Sequence, residues 1–406
     1  MPRSPIPLQE LEASLDDPGN PAFFPPAAYT SPAFHAFELD AVWRREWVLV
    51  GRAEEIPEPG DFFTIEVAGE PLVVVRDDDG AVTAMSSVCR HRGMLVAEGR
   101  GRCERVFVCP YHEWAYDRRG RLVGVPQAPE LTRRGMALPT VRAEVWHGFV
   151  FVNLDPDAAP LAPRLASLEP IVAPYRLEEL RGEFTVDPGY RFEFDHDWNW
   201  KVYAEGQNEC YHCDKLHGDT PVMRATDCNS IAWGVMEPER GVFHFELRNR
   251  DVDVTLNHLG RSPWGPIPGL TEAQRWITHT IAIAPGVLLV LMPDSVIALG
   301  SRPTGPTSMR VKRHRLYPAE TLARPDFAAV HREESVAVRT FVGQDEHAFA
   351  LVQAGLRSRF APRGPIAPRE QVLIGMNRWL LDRYRAAEAE AEAEAGAATG
   401  AAAAPA

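Results

Sequence analysis

Two short segments decide the fold of the first part of this chain: Cys89-Arg90-His91-Arg92-Gly93 and Cys109-Pro110-Tyr111-His112-Glu113-Trp114. In each segment a cysteine comes just before a histidine, and seventeen residues separate His91 from Cys109. Two thiolates and two neutral imidazoles in this order can hold a [2Fe–2S] cluster, with the cysteines on one iron and the histidines on the other. The pattern therefore predicts a centre that accepts electrons and passes them on.

A zinc site is the competing hypothesis for the same side chains. A Cys₂His₂ zinc finger usually places both cysteines before both histidines. Here each cysteine precedes its own histidine, which favours the iron–sulfur cluster. Cys103 lies between the two segments, and we expect it to be a small buried or half-buried residue.

The two segments closely resemble the Rieske domain of the Rieske-type non-haem iron oxygenases. The resemblance implies that Cys89 and Cys109 bind one iron of the cluster. His91 and His112 would then bind the other iron. Gly93 would permit the tight loop, because glycine accepts positive φ without steric cost.

Length, composition and charge exclude several classes of protein. With 406 residues, 45% of them hydrophobic, the chain can form two domains with buried cores. The net charge of −13 argues against nucleic acid as a partner. The longest apolar run, over 281–299, is interrupted by two prolines, a glycine and an aspartate. We therefore expect strands and a turn there and no membrane span.

The cysteine content and the N-terminus indicate the compartment. The first residues, Met1-Pro2-Arg3-Ser4-Pro5, lack the apolar core of a secretory signal. The six cysteines are then expected to be reduced thiols or metal ligands and not disulfides. These features predict a cytoplasmic protein.

The local patterns predict an α+β fold with a small all-β domain and a larger domain, in which helices flank an antiparallel sheet. Short strand-like segments over 43–160 predict the β domain, and 161–385 mixes strands with helical periodicity. The proline-rich residues 1–42 are expected to pack on the larger domain. The Ala/Glu repeats of 386–406 are expected to be disordered or to form a frayed helix, because they cannot bury apolar surface.

The larger domain contains a second candidate metal site around His212 and His217. On an ideal helix, residues five apart point about 140° away from each other. The two side chains can reach one metal only if the helix ends, bulges or widens between them, and Gly218 is a natural helix stop. A polar helix face is the alternative reading of this pair.

A wider string resembles the catalytic-domain motif of the same oxygenases. It comprises Asn199-Trp200-Lys201, Glu205, Glu209-Cys210-Tyr211-His212 and His217, followed downstream by Gln344-Asp345 and Gln353-Ala354-Gly355-Leu356. The resemblance implies that two histidines and an aspartate hold one mononuclear Fe(II) and leave positions open for O₂ and substrate. We predict Asp345 as the carboxylate ligand, with Glu346 and Asp219 as its competitors.

Cys210 and Cys213 flank His212 as a C-x-x-C pair. Together with His217 they could form a second zinc site. Fe(II) with open positions needs nitrogen and oxygen ligands, whereas structural zinc would use the thiolates. We interpret both cysteines as packing residues beside the iron.

Glu209 lies three residues before His212. In the family, an acid at this position links a Rieske histidine of one subunit to an iron-binding histidine of the next, and most members use Asp. The resemblance therefore implies a closed ring, expected to be a homotrimer. A second departure is Gly206, where many members have Asn; Asn208 is the candidate substitute.

The resemblance also implies the reaction. We find no Gly-rich dinucleotide fingerprint after a strand, so a separate NAD(P)H-dependent flavin or ferredoxin reductase is expected as the electron source. The segment 209–213 is most similar to oxygenases of quaternary amines, and such cations bind on aromatic faces. The candidate aromatic side chains are Trp233, Phe243, Phe245, Trp264 and Trp276. An aromatic ring hydroxylase is the alternative, and a pure electron carrier would not need the second metal.

Overall fold

The structure is a computed structural model that describes residues 2–17, 19–185, 192–218, 220, 226–255 and 260–402. The chain divides into a β unit, Trp43–Pro163, and a larger unit formed by Met1–Val42 together with Arg164–Ala406. The predicted α+β class is confirmed, because antiparallel sheets carry both units and helices are concentrated in the larger one. No helix in the described ranges is long and apolar enough to span a membrane.

The β unit is built on an antiparallel sheet of strand order β1-β10-β9-β4-β3-β2-β5, with β6-β7-β8 forming a smaller sheet. The β2–β3 hairpin closes through Ala68 and Gly69, both at positive φ, as a tight two-residue turn requires. The strands are β1 (Val48–Arg52), β2 (Asp61–Val67), β3 (Glu70–Arg76), β4 (Val82–Ser86), β5 (Arg100–Arg102), β6 (Phe107–Val108), β7 (Ala115–Tyr116), β8 (Leu122–Gly124), β9 (Thr140–Trp146) and β10 (Phe149–Asn153).

The larger unit contains an antiparallel sheet of order β11-β18-β17-β16-β15-β14-β13, and β12 also pairs with β18. Alternate residues of each strand face the two sides of this sheet, so one side can pack on helices that carry functional residues. The strands are β11 (Arg181–Gly182), β12 (Glu193–His196), β13 (Thr226–Glu237), β14 (Val242–Asn249), β15 (Ile277–Ile283), β16 (Val287–Leu291), β17 (Val296–Gly305) and β18 (Ser308–Tyr317).

The helices come from both ends of the chain and from its middle. Two of them are long, and they carry the residues discussed below. The helices are α1 (Leu8–Glu12), α2 (Ala27–Thr30), α3 (Pro32–Glu38), α4 (Leu161–Leu165), α5 (Glu169–Val172), α6 (Trp200–Gln207), α7 (Cys213–Leu216), α8 (Glu272–Arg275), α9 (Ala319–Leu322), α10 (Phe327–Leu356) and α11 (Gln371–Ala402).

A buried ion pair joins the N-terminal segment to the rest of the larger unit. The Lys201 ammonium on α6 donates to both carboxylate oxygens of Glu38, at 2.8 and 2.6 Å. The Tyr384 hydroxyl on α11 donates to the same carboxylate at 2.6 Å. Glu38 and Lys201 are 0% and 1% exposed. One carboxylate therefore fastens α3, α6 and α11 together.

The described residues of the tail over 386–406 form a helix and are not disordered, and the expectation that the tail buries no apolar surface is wrong. Helix α11 continues to Ala402, and Ala387 and Ala391, four residues apart, are buried. The helix contacts the N-terminal segment, where Glu12 accepts a hydrogen bond from Arg385 at 2.8 Å. The composition of the tail does not show that the N-terminal segment packs against it. A stripe of alanines is buried once another segment covers it.

The Glu38–Lys201 pair can be tested by removing its negative charge. Glu38→Gln would leave a buried ammonium without a counter-charge, which typically destabilises a protein by about 3–5 kcal/mol. The control Glu12→Gln breaks the more exposed pair with Arg385 and should cost less than about 1 kcal/mol. Urea unfolding of both variants measures the difference, and equal midpoints would contradict the assigned role of Glu38.

Candidate metal centres

The first cysteine loop is closed by its own backbone. The Cys89 N–H donates to the Met94 carbonyl at 2.8 Å, and the Gly93 N–H donates to the Cys89 carbonyl at 3.1 Å. Gly93 has φ 78°, in the left-handed region where glycine is favoured. The loop therefore holds the thiol and the imidazole two residues later on a fixed frame.

The second cysteine loop repeats this frame. The Cys109 N–H donates to the Trp114 carbonyl at 2.8 Å, and the Glu113 N–H donates to the Cys109 carbonyl at 2.9 Å. Glu113 takes the place of the glycine and has φ 56°, an uncommon value for a residue with a side chain. Two loops of the same backbone shape thus present the predicted donors.

The cysteines lie inside the β unit and the histidines near its surface. Cys89 and Cys109 are 3% and 2% exposed, and neither forms a disulfide. The ring centroids of His91 and His112 lie 4.6 Å apart, and the His91 ring stacks on Trp114 at 4.7 Å. His91 is exposed and His112 half-buried. Two buried thiols behind two adjoining rings fit a cluster whose histidine-bound iron faces outward.

Tyr116 is a neighbour of the first thiol that the sequence did not reveal. Its hydroxyl accepts a hydrogen bond from the Arg90 N–H at 3.0 Å and lies 3.2 Å from the Cys89 sulfur. Burial and the adjacent Cys89 raise the pKa of the phenol, so it keeps a proton that it can donate to the sulfur. Hydrogen bonds to cluster sulfurs tune the reduction potential.

The second centre depends on a break in the helix. Helix α6 ends at Gln207, and after an irregular turn His212 and His217 flank the four-residue helix α7 at its two ends. Asp345 comes from the middle of α10, and the three side chains each offer one donor atom within 4.8 Å of the others. The structure thus brings together the three residues predicted for Fe(II). The break that the histidine spacing required is the end of α7 at Leu216, which leaves His217 just outside the helical turn.

The far nitrogen of each imidazole is held by a neighbouring side chain. His212 Nδ1 is hydrogen bonded to the Glu209 carboxylate, which also accepts the Tyr211 N–H. His217 Nδ1 lies 2.8 Å from Gln344 Oε1. Both Nε2 atoms therefore face Asp345. The sequence motif included Gln344 but did not indicate that its side chain contacts His217. Only its position next to Asp345 in the sequence pointed to the site.

The Asp345 carboxylate lies beside both rings. Its Oδ1 lies 2.8 Å from His217 Nε2 and 3.5 Å from His212 Nε2. Burial raises the pKa of Asp345, but its contacts with the imidazoles lower it further, so the carboxylate is charged. Burial lowers the pKa of His212, but Asp345 and Glu209 outweigh burial and raise that pKa to about 9.

These donors fit the mononuclear iron of the resemblance. His217 Nε2 and Asp345 Oδ1 are buried, and despite their 2.8 Å separation neither atom has a hydrogen-bond partner of proper geometry. A cation between them would satisfy both atoms. Two imidazoles and one carboxylate are the donor set of non-haem Fe(II) sites.

The competing carboxylates do not join this cluster in the part of the chain that is described. Glu346 lies 4.0 Å from His196 Nδ1, on a different side of α10. Asp219 falls outside the described residues. The geometry therefore favours Asp345.

The expectation of reduced packing cysteines at 210 and 213 is wrong. Cys210 and Cys213 form a disulfide, with Cα atoms 5.0 Å apart. The turn leading into α7 brings the two residues within disulfide range, which residue type and compartment alone could not show. Cys89, Cys103, Cys109 and Cys228 are buried and are not disulfide-bonded.

Gly206 is explained by a close helix contact. A Cβ added at this position would lie 2.2 Å from the Phe349 ring of α10. Asn208 does not take over a role toward the metal site through its amide nitrogen, which donates to the Ala204 carbonyl at 2.7 Å. Its Oδ1 is buried without a hydrogen-bond partner among the described residues.

A narrow pocket, part of it open to solvent, lies between α6 and the larger sheet. Tyr203, Asn208 and Phe243 line it together with aliphatic side chains of β15 to β17, and no carboxylate is among its described lining residues. Burial raises the pKa of Tyr203 in this pocket, and the charge of Asp345 adds to the increase.

Of the five aromatic candidates, Phe243 lines this pocket. Trp233 and Phe245 pack around the cysteines at 210, 213 and 228, and Trp264 packs on Tyr317 and Phe327. Trp276 lies after α8, where its carbonyl accepts the Asn249 N–H at 2.8 Å. Three of the five therefore serve the core.

Comparison with known proteins agrees with both centres. Residues 46–141 match the Rieske [2Fe-2S] domain, and residues 185–386 match the family described as ring hydroxylating alpha subunit (catalytic domain). Proteins with both domains carry a Rieske cluster and one mononuclear iron, which decides between the cluster and the zinc hypothesis. The chain belongs to the Rieske-type non-haem iron oxygenases, as an alpha, catalytic subunit.

Individual relatives include amine and arene oxygenases. The glycine betaine monooxygenase oxygenase subunit of Chromohalobacter salexigens is 33% identical over 196 residues, covering 48% of this chain and 42% of that protein. The benzene 1,2-dioxygenase alpha subunit of Pseudomonas putida is 32% identical over 200 residues, covering 48% and 44%. The chain thus spans a little under half the length of these relatives.

The fold has solved counterparts. The quaternary ammonium Rieske monooxygenase CntA, in complex with substrate L-carnitine, superposes with a TM-score of 0.75 at 19% identity, covering 95% of this chain and 100% of that chain. At this identity the likeness shows the fold.

Cys89→Ala tests the cluster site. The variant should lose the visible absorbance of the [2Fe–2S] cluster, because one iron loses a thiolate. Cys103→Ala is the matched control, since Cys103 is also free and buried in the β unit. An absorbance spectrum of each purified variant decides; an intact cluster spectrum in Cys89→Ala would contradict the predicted ligand.

Gly206→Ala tests the contact between α6 and α10. The new methyl group would push on Phe349, one helical turn after Asp345, and overpacking of this kind costs about 1–3 kcal/mol. We expect a lower melting temperature and a lower occupancy of the mononuclear iron. Gly343→Ala is the control on α10, because apart from adjacent residues and backbone of its own helix no described atom lies within 4 Å of its new methyl group. Equal iron content in the two variants would show that the contact does not position Asp345.

Proposed function

We propose that this protein is the oxygenase component of a multicomponent Rieske system, in which His212, His217 and Asp345 bind the mononuclear Fe(II). The observation that carries this proposal is the convergence of these three donors in a chain that also presents the two cysteine loops. Cys89, His91, Cys109 and His112 are proposed as the cluster ligands. Bound at these sites, the cluster supplies electrons and the iron activates O₂.

The protein's own side chains orient the donors and limit solvent. Glu209 and Gln344 fix the imidazole rings through Nδ1, which keeps Nε2 directed at Asp345. The Phe341 ring lies 4.1 Å from the His217 ring, and His217 is fully buried. Water is therefore excluded from this side of the site, and substrate would approach from the side of the pocket.

The substrate we propose is a quaternary amine that loses an N-methyl group as formaldehyde after hydroxylation. The similarity to a glycine betaine monooxygenase subunit supports this class. Tyr203 and Phe243 offer aromatic faces in the pocket, as a cationic substrate would need.

An aromatic ring is the second candidate substrate. The similarity to a benzene dioxygenase subunit and the absence of a carboxylate among the described pocket-lining residues favour it. In that case the product would contain both oxygen atoms of O₂ on the ring.

The electrons would come from a separate NAD(P)H-dependent flavin or ferredoxin reductase. Glu209 is proposed to pass them on by joining His212 to His91 or His112 of a neighbouring subunit in a homotrimer. Its carboxylate already holds His212, and a carboxylate oxygen has a second lone pair for a further donor. His91 is exposed, so its ring N–H could donate this hydrogen bond to Glu209 of a neighbouring subunit.

Asp345→Ala tests both the iron site and the substrate. With reductase, NADH and glycine betaine or carnitine, the wild type should consume O₂ and release formaldehyde. Asp345→Ala should keep the cluster spectrum but lose the mononuclear iron and turnover, whereas the control Glu346→Ala should retain both. Dihydrodiol from benzene with no formaldehyde would favour the ring hydroxylase instead. Normal turnover by Asp345→Ala would show that another carboxylate binds the iron.

Glu209→Gln tests the electron route. Because the amide can still form hydrogen bonds, both metal centres should be retained. The amide lacks the negative charge that holds the imidazoles. The reduced cluster should then fail to reoxidise when O₂ and substrate are added in a single turnover. Glu209→Asp keeps the charge and should preserve most of the transfer. Wild-type reoxidation in Glu209→Gln, or normal turnover by a monomer, would refute the bridge.

A further inference from the structure

A second group of metal-ligating side chains lies on the larger sheet. His244 and Glu246 are two residues apart on β14, and His279 on β15 is paired directly with Glu246. All three side chains therefore point to the same face of the sheet.

This face is turned away from the candidate iron site. The intervening residues of β14 face the other way: Phe243 lines the pocket beside α6, and Phe245 packs on Cys210 and Cys213. The cluster of His244, Glu246 and His279 is thus separate from the residues assigned to the reaction.

The donor atoms of the three side chains lie close to one another. His244 Nε2 lies 3.0 Å from His279 Nδ1, and this same Nδ1 lies 3.6 Å from Glu246 Oε1. One donor atom from each residue lies within 4.8 Å of the others. In a tetrahedral zinc site with bonds of about 2.0–2.1 Å, neighbouring donors are roughly 3.3 Å apart, midway between the two observed distances.

The protonation state suits a cation. The two histidines are 2% and 8% exposed. Burial lowers the pKa of His244 to about 4, and burial together with His244 lowers the pKa of His279 to about 4. Both rings are therefore neutral near pH 7, as metal ligation requires. Glu246 is about one-third exposed, which gives an ion a route from solvent.

The surroundings leave room for the cluster. A Cβ at Gly234 on β13 would lie 2.2 Å from His244 Nδ1, so the ring occupies space that only glycine leaves free. That edge of the ring is closed, and Nε2 is the nitrogen that faces His279. The buried Tyr175 hydroxyl has no hydrogen-bond partner among the described residues, and its ring lies edge-on to His279 at 6.0 Å.

We propose that His244 Nε2, His279 Nδ1 and the Glu246 carboxylate bind a zinc-type divalent cation, distinct from the catalytic iron. Two imidazoles and a carboxylate suit Zn²⁺, with water completing the tetrahedron. The cation replaces the single proton shared by the facing nitrogens and links β14 to β15. The sheet face that it braces lies behind Phe243 of the pocket.

The test is zinc binding by the full-length holoprotein, measured by equilibrium dialysis against Zn²⁺ and metal analysis. We expect about one zinc per chain in addition to the irons, and the same in Asp345→Ala, which excludes displacement at the iron site. Glu246→Gln should bind zinc more than about tenfold more weakly, and His279→Asn should lose it. Glu237→Gln, the same change in a half-buried glutamate on β13, is the matched control and should bind normally.

Two results would overturn the site. One is that the wild-type protein takes up no zinc, or takes up only zinc that is lost in Asp345→Ala. The other is equal zinc affinity in Glu246→Gln, His279→Asn and Glu237→Gln. Thermal unfolding provides a second readout, because added Zn²⁺ should raise the melting temperature of the wild type but not of Glu246→Gln.

Discussion

The candidate active site depends on the contact of Asp345 with the imidazoles of His212 and His217, which lie at opposite ends of one short helical turn. Continuous helix would direct His212 and His217 about 140° apart. Helix α7 ends at Leu216, so His217 lies outside the helical turn and departs from that ideal direction, and the four residues of α7 set the spacing of the rings. Glu209 and Gln344 contact Nδ1 of the two rings, so Nε2 of each ring faces Asp345. Neighbouring residues therefore fix both the position of each imidazole and the nitrogen atom that it offers to a metal.

The helices that carry these donors are held by contacts far along the chain. Glu38, from the N-terminal segment, receives hydrogen bonds from Lys201 on α6 and Tyr384 on α11. Helix α10 approaches α6 closely enough that Phe349 fills the space left by Gly206. Buried charge and close packing thus maintain a metal site to which neither contributes a ligand.

The sequence predicted what depends on covalent spacing. The paired Cys/His segments specify two loops of one backbone shape, and the five-residue spacing of the histidines required a helix break. Long-range proximity could not be read from the sequence: no local pattern shows that Ala387 and Ala391 are covered or that Tyr116 reaches Cys89. The disulfide between Cys210 and Cys213 is local, but it was missed because the expected compartment favoured reduced thiols. His244, Glu246 and His279 are likewise united only by strand register.

The most direct test of the iron assignment is anomalous X-ray diffraction at the iron absorption edge from crystals of the purified protein. The account predicts one isolated iron bonded to His212 Nε2, His217 Nε2 and Asp345, and a separate two-iron peak between the loops of Cys89 and Cys109. An isolated iron at any other set of side chains, or no iron beside Asp345 in active protein, would contradict it.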